Sequence, residues 1–427
     1  MAEPNDASAR RGRLAALDGL RLAAALMVVL YHYTGQISTA WSQDTGRLFP
    51  QVHNYTSYGW TGVYLFFVIS GFVICMSGWN RPLRAFFISR VVRLYPAYWF
   101  AIIAVTVVTT FYPVIQKPAE PEQVLINLTM LQDPHRVGNI DAVYWTLWAE
   151  LRFYLLFALV VWRGLTYRRV VAFCVLWTVA SLFAGYSEEP MFRSLVQPES
   201  SSFFIGGVAI YLMHRFGQDI LLWSIIGICF LRGQLYLTSS LPEMQKNTHA
   251  GGSWHGVTIL LAVFYLLVIG VALGYFSWAK WRWLTAAGAL TYPLYLLHEV
   301  IGWTVIKKLN AVVSAWPLTL GLIACMLVLS YLVNRFVEEP LAKPMKRALS
   351  KALDRLAADR SGSDTRPALN SPDDDTRRVE SPRHGDAWNP WNGDVSGRGA
   401  QADDTRTNGV DSSHVPTQEI KFVHRPR

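Results

Sequence analysis

The sequence predicts an all-α polytopic membrane protein: about ten transmembrane helices, both termini cytoplasmic, and a disordered C-terminal tail. Three observations carry that prediction. Of 427 residues, 52% are hydrophobic and only 16% are charged, whereas a soluble chain carries about 25% charged residues. Apolar stretches near 20 residues recur along the chain, long enough to cross the ~30 Å hydrocarbon core as helices. Basic residues fall unevenly between alternate connections, 17 on one side against 8 on the other, and Lys and Arg mark the cytoplasmic side. Basic loops on an anionic inner leaflet also account for the net charge of +9 without nucleic acid.

Taken in order, the spans are predicted near Leu17 to Ile37, Trp60 to Met76, Ala97 to Tyr112, Tyr144 to Trp162 and Val170 to Gly185. A second set follows near Phe203 to Met213, Ile220 to Leu231, Gly256 to Phe276, Ala286 to Ile306 and Leu318 to Val333. Residues 1–13 form a basic cytoplasmic segment, and no cleavage site follows a short apolar core, so the first span is read as uncleaved. Residues 14–348 form the ten-span membrane domain. Residues 349–427 form a cytoplasmic tail, rich in Ser, Pro, Gly, Asp and Arg and disordered from about Leu353. The cysteines, Cys75, Cys174, Cys229 and Cys325, have no metal-ligand spacing and read as packing residues.

Polar residues inside the spans need an explanation, because a charge at the centre of an inserted helix costs roughly 2.5–3.5 kcal/mol on insertion scales. In "LDGLRLAAALMVVLYHY", Arg21 and His32 are separated by about three whole helical turns. They therefore share a face, about 16 Å apart along the axis. Snorkelling to lipid phosphate and a helix-to-helix hydrogen bond would account for the pair, but a histidine can also exchange a proton at neutral pH.

In "RPLRAFFISRVVRLYPAYW", Arg90 and Arg93 lie on neighbouring turns, as do Arg81 and Arg84. The stretch reads as an interfacial helix that stops before Pro96, its cations serving either anionic lipid or a bidentate clamp on phosphate. In "YWTLWAELRFYLL", Glu150 lies about a turn and a half into its span, with Tyr154 on the same face. In "LTYPLYLLHEVI", Tyr295 and His298 are three apart, and His298 lies at a depth comparable to His32, which suggests a shared polar cavity.

These segments together resemble, in order, the motifs of the acyltransferase-3 family of bacterial integral-membrane O-acyltransferases: "LDGLRLAAALMVVLYHY", "FFVISGFVI", "FISRVVRLYPAYW", "WTLWAELRFYLL" and "YPLYLLH". The resemblance runs from Leu14 to about Lys346. It implies transfer of an acetyl or other short acyl group from acyl-coenzyme A, a cosubstrate rather than a resident cofactor. The implied acceptor is a hydroxyl on a sugar of a surface or exported glycan, or on a secondary metabolite such as a macrolide. The implied location is the bacterial cytoplasmic membrane.

By motif, His32 is the implied catalytic histidine and general base, Arg21 its partner, Arg90 and Arg93 the Arg-x-x-Arg pair, and Glu150 the intramembrane glutamate. On this reading Glu150 reaches the other ring nitrogen of His32, while Arg21, Arg90 and Arg93 hold coenzyme A phosphates. Tyr295 and His298 contact substrate. The sequence departs from the family pattern at Thr146, where serine is common, and at Pro293, which unsettles the placement of His298. No extracytoplasmic hydrolase-like domain follows the last span, so an acceptor modified outside is handled by these spans or by a separate partner. The competing reading, a transporter of a small molecule or glycan precursor, calls for internal repeats, and none is seen.

Overall fold

The computed structural model describes residues 4–363 apart from Lys280, with side chains described from Ala15 to Leu356. Among the described residues every regular element is helical. The first helix, α1 (Pro4–Leu30), is rich in Ala and Leu, which lose little freedom in a helix. It continues into a π-helical turn, Tyr31–Gly35, closed by a 2.6 Å bond from Gln36 N–H to Tyr31 O. Two short helices follow, α2 (Thr45–Leu48) and α3 (His53–Thr56), and both pack against that turn.

Next come α4 (Gly62–Gly78), α5 (Leu83–Phe111), the short α6 (Pro121–Leu128), α7 (Trp145–Trp162) and α8 (Tyr167–Ala184). The short α9 (Pro190–Val196) leads into α10 (Ser201–Phe216), α11 (Ile220–Thr248), α12 (Trp254–Ala272), α13 (Arg282–Leu309) and α14 (Ala315–Val333). A second π-helical turn, Asn334–Glu338, precedes α15 (Glu339–Ser363).

The protein is a multi-pass membrane protein: eight helical segments among the described residues are long and apolar enough to cross a bilayer. The remaining two expected spans are also helices, α10 and α13, but neither is of that kind. At 16 residues α10 is short, and it is enclosed by protein on nearly every side. The apolar run of α13 is interrupted by the polar residues of the site described below.

The bundle is apolar on its surface and mostly apolar inside, with a small set of polar groups held deep within it. Leu155, Leu159, Leu176, Phe183 and Leu266 face outward, where lipid accepts them. His32, Asp141, His298 and Glu299 are buried, where only protein can satisfy them.

The closest packing joins α4 to α10. A Cβ on Gly71 would overlap the Phe204 carbonyl oxygen, and one on Gly207 would overlap that of Val68. Small residues at both positions let the two backbones approach, the usual device where no hydrophobic force drives helices together in lipid.

The boundaries depart furthest from the sequence expectation in α5 and α11. The interfacial helix expected to stop before Pro96 and the span expected from Ala97 are one 29-residue helix, α5. Neighbouring helices pack along α5 through the proline, α13 and α7 among them, and Tyr292 O–H donates to Leu94 O at 3.1 Å just before it. The short span expected to end at Leu231 runs to Thr248 as α11.

The tail differs as well, since α15 keeps the chain helical to Ser363, ten residues past Leu353. The rest of the expected tail, including "NPWNGD", lies outside the described residues. The chain divides into two units, Met1–Ala352 and Leu353–Arg427, and the buried polar residues named above lie in the first.

Candidate active site

The site begins with the π-helical turn at the end of α1. A π turn widens the helix and releases backbone groups, and such turns are frequent at functional sites. Here the released groups are taken up by side chains: Trp303 Nε1–H donates to His32 O at 2.9 Å, and Trp41 Nε1–H to Tyr33 O at 2.9 Å. The His32 ring is thereby held inward, buried between α1 and α13.

Facing it on α13 are Tyr295, His298 and Glu299, whose spacings of three and four put them on one side of the helix. Gly302 lies on the same side, where any Cβ would collide with the ring of Tyr33. That close approach lets Tyr33 O–H donate to His298 O at 2.7 Å.

The histidines touch: His298 Nε2 is 3.1 Å from His32 Nδ1, with ring centroids 4.9 Å apart. Their partners order the protons. His298 Nδ1 faces the Tyr295 carbonyl at 2.8 Å and must carry hydrogen, so in a neutral ring its Nε2 accepts. His32 Nδ1 is then the donor, to His298 Nε2 and to Val28 O at 2.9 Å. His32 Nε2 is left with a free lone pair.

The nearest carboxyl to that lone pair is Glu299, whose Oε1 stands 3.6 Å away. The expected partner, Glu150, is elsewhere. Its Oε1 accepts from Ser70 Oγ at 2.6 Å and from Tyr154 O–H. The contact expected between Glu150 and His32 is therefore not formed. The face of α7 that carries Glu150 meets α4 and α5, whereas the histidine face of α1 meets α13.

Glu150 instead lines a cavity of about 340 Å³ with Arg21, Arg90, Arg93, Ser70, Tyr154, Thr146 and Tyr295. Among its lining side chains three guanidiniums face one carboxyl. Arg21 pairs with Asp18 at 3.5 Å, and Arg93 reaches Glu338 at 3.9 Å and lies over the Tyr292 ring. Arg90 lies over the rings of Phe86 and Tyr154.

Five of the seven residues singled out by sequence thus share the cavity, and the other two, His32 and His298, are in contact with each other just behind it. Tyr295 joins the two groups. Its hydroxyl is 3.0 Å from Thr146 Oγ1 at the cavity wall, and its carbonyl holds His298. Thr146 keeps a hydroxyl where the motif commonly has serine. Pro293 lies inside a continuous α13 and leaves His298 beside His32.

An acyltransferase domain profile matches residues 14–335. The chain belongs to the acyltransferase-3 family. Among curated proteins and solved structures, no significant match is found. The acyltransferase is accordingly an enzyme that moves acyl groups between a donor and an acceptor.

Two acids of the site escape a reading of sequence. Glu299 follows His298 directly, and its presence in an apolar stretch was a usable signal. Asp141 carried none: before "AVYW" it reads as a helix cap, and its Oδ1 does accept from Val143 N–H at 3.3 Å.

Proposed function

We propose that this acyltransferase is a bacterial cytoplasmic-membrane O-acyltransferase, in the first instance an O-acetyltransferase. It transfers the acyl group of acyl-coenzyme A to a sugar hydroxyl of an exported glycan or a secondary metabolite. The observation that carries this reading is the continuity from three guanidiniums, through Thr146 and Tyr295, to a histidine pair with one free ring nitrogen. Guanidiniums grip phosphate oxygens bidentately, so Arg21, Arg90 and Arg93 suit the phosphates of the donor. The spacing from Arg21 to His32, about 16 Å along α1, suits a donor with its charge at one end and its thioester at the other.

In the proposed reaction His32 Nε2 takes the proton of the acceptor hydroxyl as its oxygen attacks the thioester carbonyl. The C–O bond forms, the C–S bond breaks, and the Nε2 proton passes to the departing thiolate. General-base help of this kind is worth on the order of 10² to 10⁴ in rate. His298 keeps His32 in the required tautomer, and Tyr295 holds His298. Glu150, tied to Ser70 and Tyr154, belongs to the donor side, where it orients the wall against which Arg90 lies.

The test is transfer of label from radiolabelled acetyl-coenzyme A to membranes of the native host by the full chain in proteoliposomes. Label in a hydroxyl ester, lost in His32→Ala, supports the reading. Undiminished label with correctly inserted His32→Ala overturns it.

A further inference from the structure

Glu299 Oε1 is buried, has no hydrogen-bond partner among the described residues, and is aimed at the His32 nitrogen that is left without one. Its other oxygen is fixed, Oε2 accepting from Val143 N–H at 3.2 Å. Behind it stands Asp141, also buried, held by Val143 N–H on Oδ1 and by Val300 N–H at 3.2 Å on Oδ2. Asp141 Oδ1 and Glu299 Oε2 converge on one donor, the Val143 N–H. Two carboxylates drawn to the same N–H repel each other when both are ionised, so one proton stays with them and the pair as a unit carries a single negative charge.

No Lys or Arg contacts this pair among the described residues. The other titratable groups around His32 are His298, Tyr31 and Tyr33, with Tyr295 beyond His298. The only group there able to turn cationic beside the pair is the histidine couple itself, and His32 presents the nearer nitrogen.

We propose that the Asp141–Glu299 pair is the counter-ion of His32, stabilising the imidazolium that forms when Nε2 takes the acceptor's proton. The inference rests on His32 acting as the base. It differs from a Ser–His–Asp arrangement, in which the carboxylate meets the nitrogen that does not exchange the proton. Here the carboxyl stands beside the nitrogen that does. The acceptor hydroxyl consequently approaches Nε2 alongside Glu299 Oε1, and a second hydroxyl on the neighbouring carbon can donate to the unsatisfied Oε1.

Two variants separate this from the base assignment in the labelling assay with acetyl-coenzyme A and native-host membranes. Glu299→Gln keeps shape and loses charge. It is expected to lower kcat on the order of 10²-fold, leave KM for acetyl-coenzyme A unchanged, and move the acid limb of the kcat profile to lower pH by about one unit. Glu299→Asp is expected to restore part of kcat. Where Glu299→Gln fails to insert, Asp141→Asn carries the test, with the same directions and a smaller size.

A wild-type kcat in Glu299→Gln overturns the counter-ion. So does a fall in kcat with an unmoved acid limb or a raised KM, which marks a structural effect. If label is lost in His32→Ala while Glu299→Gln behaves as wild type, the base stands and only the counter-ion fails. If His32→Ala retains label, the base assignment fails first.

Discussion

The arginine cavity and the histidine couple share α1 and α13 but are built on opposite terms. In the cavity the charges are long, partly exposed and multiply placed. Arg93 keeps 43% of its side chain exposed and Arg21 26%, each with a carboxylate partner at 3.5 Å or more. At the histidines the groups are short and buried, and each nitrogen but one is assigned to a partner within about 3 Å. A loosely held cationic surface suits a large, flexible anion that must enter and leave. A locked imidazole suits a proton transfer, which tolerates little misplacement. On the proposed reading, binding and chemistry are separated along α1, and the two regions should fail differently when damaged.

The largest expected effect is at His32. His32→Ala is expected to lower kcat by about 10² to 10⁴ with KM for acetyl-coenzyme A little changed, read by steady-state label transfer. Loss of affinity without loss of kcat would dissolve the distinction between the two regions.

Next comes the double variant Arg90→Ala with Arg93→Ala, for which KM for acetyl-coenzyme A is expected to rise about tenfold while kcat falls less. The rise should shrink at high salt, because partly exposed charges are screened. An unchanged KM would return these arginines to lipid contact.

Glu150→Gln sharpens the comparison most directly. Bound to Ser70 and Tyr154 rather than to His32, it is expected to cost only about tenfold, chiefly in KM, with the acid limb of kcat unmoved. A loss as large as that of His32→Ala would tie Glu150 to the chemistry after all.

The smallest effect lies at the edge of the histidine region. The segment bearing α2 and α3 packs on the π turn and is fastened by Asp44, 2.9 Å from His249 Nδ1. Slight burial opposes ionisation of Asp44, but the hydrogen bonds from His249 and Gly46 N–H prevail and hold its carboxyl below the usual range. A depressed carboxyl contributes stability above its unfolded value, about 3.8–3.9, and that contribution fades as pH falls through the folded value. Asp44→Asn is therefore expected to cost under about 1 kcal/mol at neutral pH. Thermal unfolding of the two proteins should converge below about pH 4.

Much of this was legible in sequence for local reasons. Hydropathy found the helices because a bilayer forces apolar runs to be helical, and intramembrane cost singled out Arg21, His32, Glu150 and His298. The helical period put Arg21 and His32 on one face, and Glu150 with Tyr154. What misled was equally local. Pro96 reads as a stop when the neighbours packed on its helix are unseen, and Asp141 passes unread because its local pattern signals nothing beyond a cap.

By itself the sequence determined a membrane bundle, its family, and which polar residues could act, since apolar length, helical period and motif order are properties of neighbouring residues. Which of those residues act on one another was decided by the tertiary structure. His32 and His298 are 266 positions apart, and Asp141 and Glu299 are 158 apart. No local pattern fixes which helix faces meet. Packing of α1 on α13 gave His32 to His298 and Glu299, and packing of α7 on α4 gave Glu150 to Ser70.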